Sequence, residues 1–182
     1  MSGENKEKVI LSLDPSTKST GWAVFTDGSL TDYGVITAGS TNLFHRIDKM
    51  VEEINNIIVK YNPVDVALED VIPDDVKHNQ NVFNALKYLQ GYILHTLDDN
   101  KIINYKFYTA SEWRSKCGIG TGPGVKRGSL KPKDIAFVKK YYNKTVDDDT
   151  ADAICIGYAH THKPIPIQKD LDVEIVDGFE FR

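Results

Sequence analysis

Cysteine is scarce in this 182-residue chain: Cys117 and Cys155 are the only two, and they fall in no C-x-x-C pair or Cys/His cluster. That excludes a disulfide scaffold and a structural zinc knot, and lone thiols fit a reducing cytosol. Long hydrophobic runs are also missing. None approaches the roughly 18 residues of a membrane span, and the start, Met1 to Lys8, is polar and charged. The expectation is a cytoplasmic protein, neither secreted nor inserted in a bilayer. No phosphate-cradling glycine motif is present, since neither G-x-x-x-x-G-K-[ST] nor G-x-G-x-x-G occurs. Positive charge is not in surplus: 22 Lys and Arg stand against 26 Asp and Glu, a net of −4. Taken as a total, that speaks against a nucleic-acid partner, because such proteins usually carry a basic excess.

What the chain does have is segregated charge. Residues 113–144 hold nine basic side chains (Arg114, Lys116, Lys126, Arg127, Lys131, Lys133, Lys139, Lys140 and Lys144) and one acid, Asp134. The segment therefore carries +8, and the other 150 residues carry −12. Such segregation says more about partners than the sum does. The length suits one domain, able to bury roughly two thirds of its unfolded surface without covalent staples.

Patterning predicts three opening strands at 9–13, 21–26 and 31–37, with Asp27-Gly28 as the hairpin between the last two. Apolar residues from Leu43 to Tyr61 recur at helical spacing, and Pro63 ends that helix. A strand at 64–71, expected parallel to the first, precedes a second long helix at 81–97 and a fifth strand at 102–108. Ser111 is the expected N-cap of a short helix ending at Lys116. Five glycines and a proline make 118–128 a loop, followed by helices at 133–142 and 150–160. The expected domain spans 9–162, after a disordered start at 1–8 and before an extended acidic tail at 163–182. The order β-β-β-α-β-α-β-α-α-α is α/β, a mixed five-stranded sheet with helices on both faces, as in the ribonuclease-H-like fold.

Four acids stand out against this frame: Asp14, Glu69, Asp149 and Asp152. Asp14 and Glu69 close apolar strands (VILSLD and VDVALED), where a carboxylate needs a partner or a metal. If the first and fourth strands are neighbours, these two acids lie side by side. Asp149 and Asp152 are three apart at a helix start and share a face. Converging carboxylates about 4 Å apart would repel by about 4 kcal/mol per pair at an effective dielectric near 20. Divalent cations remove that cost, and oxygen donors without nearby His or Cys suit Mg²⁺ or Mn²⁺ better than Zn²⁺. Two such ions support phosphodiester hydrolysis. Plainer readings stand beside this one: Asp14 as a turn residue before Pro15, and Asp149 as a helix cap, a duty Asp147 or Asp148 could also take.

The stretch Leu13-Asp14-Pro15-Ser16-Thr17-Lys18-Ser19-Thr20-Gly21-Trp22-Ala23 resembles the first motif of the RuvC-type Holliday-junction resolvases, in particular their shorter bacteriophage versions. Ala67-Leu68-Glu69-Asp70-Val71 is similar to their second acidic motif, and Asp149-Thr150-Ala151-Asp152-Ala153-Ile154 to the closing D-x-x-D-A. The resemblance covers residues 9–160. It implies a dimeric endonuclease of DNA recombination and repair, whose four acids bind two Mg²⁺ ions and which places symmetric nicks across a four-way junction. A phage protein would act in the host cytoplasm. The chain departs from the bacterial pattern in having Val71-Ile72-Pro73, without an aromatic, after the second acid.

The basic segment is the expected DNA surface, with Arg114, Lys116, Lys126, Arg127, Lys131 and Lys133 as backbone contacts. The apolar stripe on 81–97 reads as core, and the resemblance adds a dimer contact through Tyr88 and Tyr92. Two rivals remain: a ribonuclease-H-like nuclease acting on structured RNA precursors, and a junction-binding protein without catalysis.

Overall fold

The computed structural model describes residues 7–73, 79–122, 125 and 127–167. Five strands form one sheet: β1 (Val9–Asp14), β2 (Ser19–Thr26), β3 (Ser29–Thr37), β4 (Asp65–Glu69) and β5 (Tyr105–Tyr108). Their order is β3-β2-β1-β4-β5. The first three pair antiparallel, while β1 with β4 and β4 with β5 run parallel, so the sheet is mixed as expected. Five α-helices accompany it: α1 (Leu43–Tyr61), α2 (Gln80–Asp99), α3 (Ala110–Lys116), α4 (Leu130–Tyr142) and α5 (Asp148–Thr161).

Strand alternation sorts the core into two layers. Leu11, Leu13, Val24, Val66 and Leu68 face one way and meet Ile47, Met50 and Ile54 of α1 and Leu89, Ile93 and Leu97 of α2. Ile10, Ala23, Phe25, Ala67 and Tyr108 face the other way, against Trp113 of α3, Phe137 of α4 and Ile154 and Ile156 of α5. Helices thus cover both faces. α5 is packed on almost every side, with ten of its fourteen residues buried.

Local chemistry explains where the elements begin. Asn42 caps α1 by accepting from the amides of Phe44 and His45, and Asn62, in the left-handed region at φ 47°, ends that helix before Pro63. Thr109, rather than Ser111, caps α3. Its hydroxyl accepts from the Glu112 amide while the Glu112 carboxylate accepts from the Thr109 amide, a reciprocal box that Ser111 cannot form because Arg114, three residues on, has no acceptor. α4 starts at Leu130, three residues earlier than its apolar pattern suggests, because Pro132 is tolerated in a first turn whose amides need no helical partner. Lys163 to Ile167 are described and carry no regular secondary structure, with the Ile165 amide donating to the Lys116 carbonyl at 3.0 Å. The rest of the tail and residues 1–6 lie outside the described residues.

Two glycines permit the close approach of α5 to the sheet. A Cβ at Gly157 would sit 2.1 Å from the Phe25 ring, and one at Gly21 would sit 1.9 Å from the Asp149 carbonyl oxygen. Backbone cannot yield as a side chain can. Gly21→Ala is therefore expected to destabilise the fold by at least about 2 kcal/mol, near the upper part of the overpacking range, read as the loss in urea unfolding. A variant as stable as the parent would mean that β2 and α5 do not touch there.

Candidate active site

The parallel register that sets Leu13 beside Leu68 carries one residue further to Asp14 and Glu69, at the C-terminal ends of adjacent strands. Alternation turns both toward the α5 side of the sheet, where the Ser12 hydroxyl donates to the Ala153 carbonyl at 2.8 Å and ties β1 to that helix. The turn after Asp14 is closed by Thr20, whose hydroxyl donates to the Ser16 carbonyl at 2.6 Å and accepts from the Ser16 amide at 3.0 Å.

α5 brings the second pair of acids. Its cap is Asp147, which accepts from the Thr150 amide at 2.7 Å. Asp149 is thereby released from cap duty, and Asp148 is ion-paired with Lys131. Asp14, Glu69, Asp149 and Asp152 line one cleft of about 430 Å³ together with Arg114 and Lys131. One oxygen each of Asp147, Asp148 and Asp149 also lie within 4.8 Å of one another, close enough to hold a divalent ion. Of that trio Asp149 alone lines the cleft.

The cleft is short of positive charge. Burial pushes the Asp14 carboxyl well above the ordinary range, and the charges of Glu69 and Asp149 push it further, against the weaker pull of Arg114 and Lys131. Asp152 is raised well for the same reasons, first burial and then Asp14 and Asp134. Burial also raises Asp149, despite the hydrogen bond that its Oδ2 accepts from Ser19. Asp152 Oδ1 is buried and has no hydrogen-bond partner among the described residues. An all-carboxylate donor set with an orphaned oxygen fits a hard divalent cation such as Mg²⁺ or Mn²⁺.

Two side chains organise the wall. Arg114, almost fully buried, grips Asp134 through Nε (3.0 and 3.2 Å) and Nη2 (2.8 Å), and stands 3.6 Å from Asp152. Burial alone would lower its affinity for the proton, but the bonds and charge of Asp134, with Asp152 and Glu69, raise it. Its guanidinium lies 4.1 Å from the centre of the Trp113 ring. Trp113 in turn donates from Nε1 to Glu69 Oε2 at 2.8 Å.

The family model for the crossover junction endodeoxyribonuclease RuvC matches residues 10–160. The chain belongs to the RuvC family. RuvC of Orientia tsutsugamushi (strain Ikeda) is 26% identical over 155 residues, covering 82% of this chain and 92% of that one. RuvC of Alkaliphilus oremlandii is 29% identical over 167 residues, covering 85% and 93%. Among solved structures, Thermus thermophilus RuvC in complex with Holliday junction substrate superposes with a TM-score of 0.67 at 14% identity, over 87% of this chain and 99% of that one. The yeast mitochondrial Holliday junction resolvase Ydc2 gives 0.57 at 11%, over 84% and 78%. These structural likenesses establish the RuvC-like fold.

Within this RuvC frame the basic residues separate. Arg114 and Lys131 line the acidic cleft. Lys116 lies in an adjoining groove of about 450 Å³, which shares Ser111 and Thr121 with the cleft. That groove also holds Lys106, outside the basic segment and not singled out by sequence, with its ammonium 4.5 Å from the centre of the Tyr108 ring. Lys133 is half-buried on α4 and lines neither. Lys126 and the side chain of Arg127 lie outside the described residues. Sequence reading also missed Ser19, Trp113 and Asp134 as site residues; Asp134, the lone acid in a basic run, was the available signal. No described helix is long and apolar enough to cross a membrane.

The raised carboxyls have a sign. Held above their unfolded values, they stabilise the fold at low pH and lose that contribution as pH rises. Asp148, lowered chiefly by its bond to Lys131, acts oppositely and only below about pH 4. Metal-free protein is therefore expected to melt at lower temperature as pH rises from about 5 to 7. Asp14→Asn should flatten that slope and raise the pH 7 midpoint by roughly 3 °C, the shift about 1 kcal/mol produces in a chain of this size. A parent midpoint that climbs over this range in a calorimetric series would contradict the assignment of crowded, raised carboxyls.

Proposed function

We propose that this chain is a metal-dependent endonuclease that resolves four-way DNA junctions by paired, symmetric nicks. The observation that carries the reading is the convergence of Asp14, Glu69, Asp149 and Asp152, from β1, β4 and α5, on one cleft that also presents Lys131. In this reading the four acids hold two Mg²⁺ ions, with Mn²⁺ able to take their place. Divalent ions held by these four acids would supply activation of a water for attack at phosphorus and stabilisation of the leaving oxygen.

The chain's own groups prepare that chemistry. Ser19 fixes Asp149 by donating to it. Arg114, committed to Asp134 and close to Asp152, moderates the repulsion without leaving the wall. Lys131, ion-paired with Asp148 but with its side chain 56% exposed, would meet a phosphate beside the acids. From there the DNA backbone would continue over Ser111 and Thr121 into the groove of Lys106 and Lys116, with Lys126, Arg127 and Lys133 as further backbone contacts.

Paired nicks need two sites, hence a homodimer. Val82, Tyr88 and Tyr92 of α2, between 41% and 50% exposed, offer a surface of suitable composition for the two-fold contact. The first motif supports likeness to the bacteriophage versions, which would work in the cytoplasm of a bacterial host, in recombination and repair.

Asp14→Asn is expected to bind a synthetic mobile junction as the parent does and to lose nicking in Mg²⁺. Full nicking by that variant would overturn the role of the acids. Parent protein that cut a structured RNA but left the junction intact would move the substrate to RNA, and junction binding without nicking in Mg²⁺ or Mn²⁺ would leave a binding protein. Lys116→Ala and Lys131→Ala should each reduce the slope of log affinity against log salt by about 1. An unchanged slope would remove that lysine from the DNA path.

A further inference from the structure

We infer that Trp113 is a positioning residue for metal binding: its indole N–H holds one oxygen of Glu69 and so fixes the direction in which that carboxylate meets a divalent cation. The inference rests on the metal-dependent reading of the cleft and deepens it.

Trp113 is fully buried in the core layer between the sheet and α5. A buried indole N–H needs an acceptor, and the one it has is a carboxylate on the cleft wall, Glu69 Oε2 at 2.8 Å. Its opposite number is a cation: the Arg114 guanidinium lies over the same ring at 4.1 Å and is clamped by Asp134. The ring therefore cannot tilt away from Glu69 without disturbing a buried ion pair. Glu69 ends β4 with its backbone in register beside Tyr108 of β5, so strand pairing fixes the backbone and leaves the direction of the carboxylate to side-chain contacts. A donor that neither titrates nor moves is suited to holding such a group.

The indole also keeps its proton whether Glu69 faces water, a proton or a metal. A Lys or Arg in its place would compete with the cation for the carboxylate, and a His would gain or lose charge near neutral pH. Trp113 orients the acid and leaves its charge undiminished. Hydrogen bonds of this kind to a metal-binding carboxylate are worth 10-fold to 100-fold in metal affinity.

Trp113→Phe tests this, because it keeps an aromatic ring beneath Arg114 and removes only the N–H. In titration calorimetry with Mn²⁺ and no DNA, the variant should bind roughly 10-fold to 100-fold more weakly than the parent. In an Asp152→Asn background the same change should weaken binding again by that factor, whereas in Glu69→Ala, which removes the acceptor, it should add no further loss. A full loss in Glu69→Ala, or none in the parent background, would overturn the inference. A second measurement covers a variant that fails to fold or binds too weakly to titrate. Trp22 is the only other tryptophan, so Trp22→Phe leaves Trp113 as the sole indole emitter. Its emission should shift on adding Mg²⁺, with a midpoint matching calorimetry, and the shift should vanish in Trp22→Phe/Glu69→Ala. An emission blind to Mg²⁺ while heat is released would also overturn the inference. Parent protein that takes up neither ion would instead overturn the metal-dependent reading beneath it.

Discussion

Repulsion among Asp14, Glu69, Asp149 and Asp152, held together in one half-buried cleft, is the constraint on which the rest of this structure depends. Two of these acids have carboxyls pushed well above their ordinary range, first by burial and then by one another. Nothing local favours such crowding. It is imposed by register: parallel pairing of β1 with β4 sets Asp14 next to Glu69, and the close approach of α5 over Gly21 and Gly157 delivers the other pair. The stabilisation that tolerates it comes from two apolar layers on either side of the sheet.

α3 is the short element that mediates between the acids and the rest. In seven residues it carries the indole that holds Glu69 and the guanidinium that counters Asp134 and Asp152. The ion pair between Arg114 and Asp134 is nearly excluded from solvent, so removing either member would strand a charge. That places Arg114 differently from the surface lysines of the same basic segment. Segregated charge along the chain becomes two neighbouring territories in space, an acidic cleft with one buried arginine and a lysine-lined groove beside it.

Much of the architecture was legible from pattern, because strands and helices here obey their periods closely. The apolar run of Val9 to Leu13, the helical stripe from Leu43 to Tyr61 and the hairpin at Asp27-Gly28 each name their element, and the order of elements implies a mixed sheet. Asp14 and Glu69 were visible as acids at the ends of apolar strands. Asp149 was harder, since three consecutive aspartates at a helix start are equivalent until geometry makes Asp147 the cap and pairs Asp148 with Lys131. Ser19, Trp113 and Asp134 were not legible as site residues. Their roles arise from contacts between segments 130, 44 and 20 positions apart, which no local period encodes.

The placement of Asp149 and Asp152 on α5 has a consequence for how the molecule fails. α5 is the most enclosed helix described, wedged between the sheet and two other helices. Regions so packed open only when the whole domain opens, while frayed ends and surface loops open at little cost. Asp152, buried one turn into α5, therefore rides on a part of the chain with no independent way to melt, whereas Asp149 sits in the first turn and is held by Ser19. The two acids of one helix thus differ in how closely their position is tied to the integrity of the whole domain.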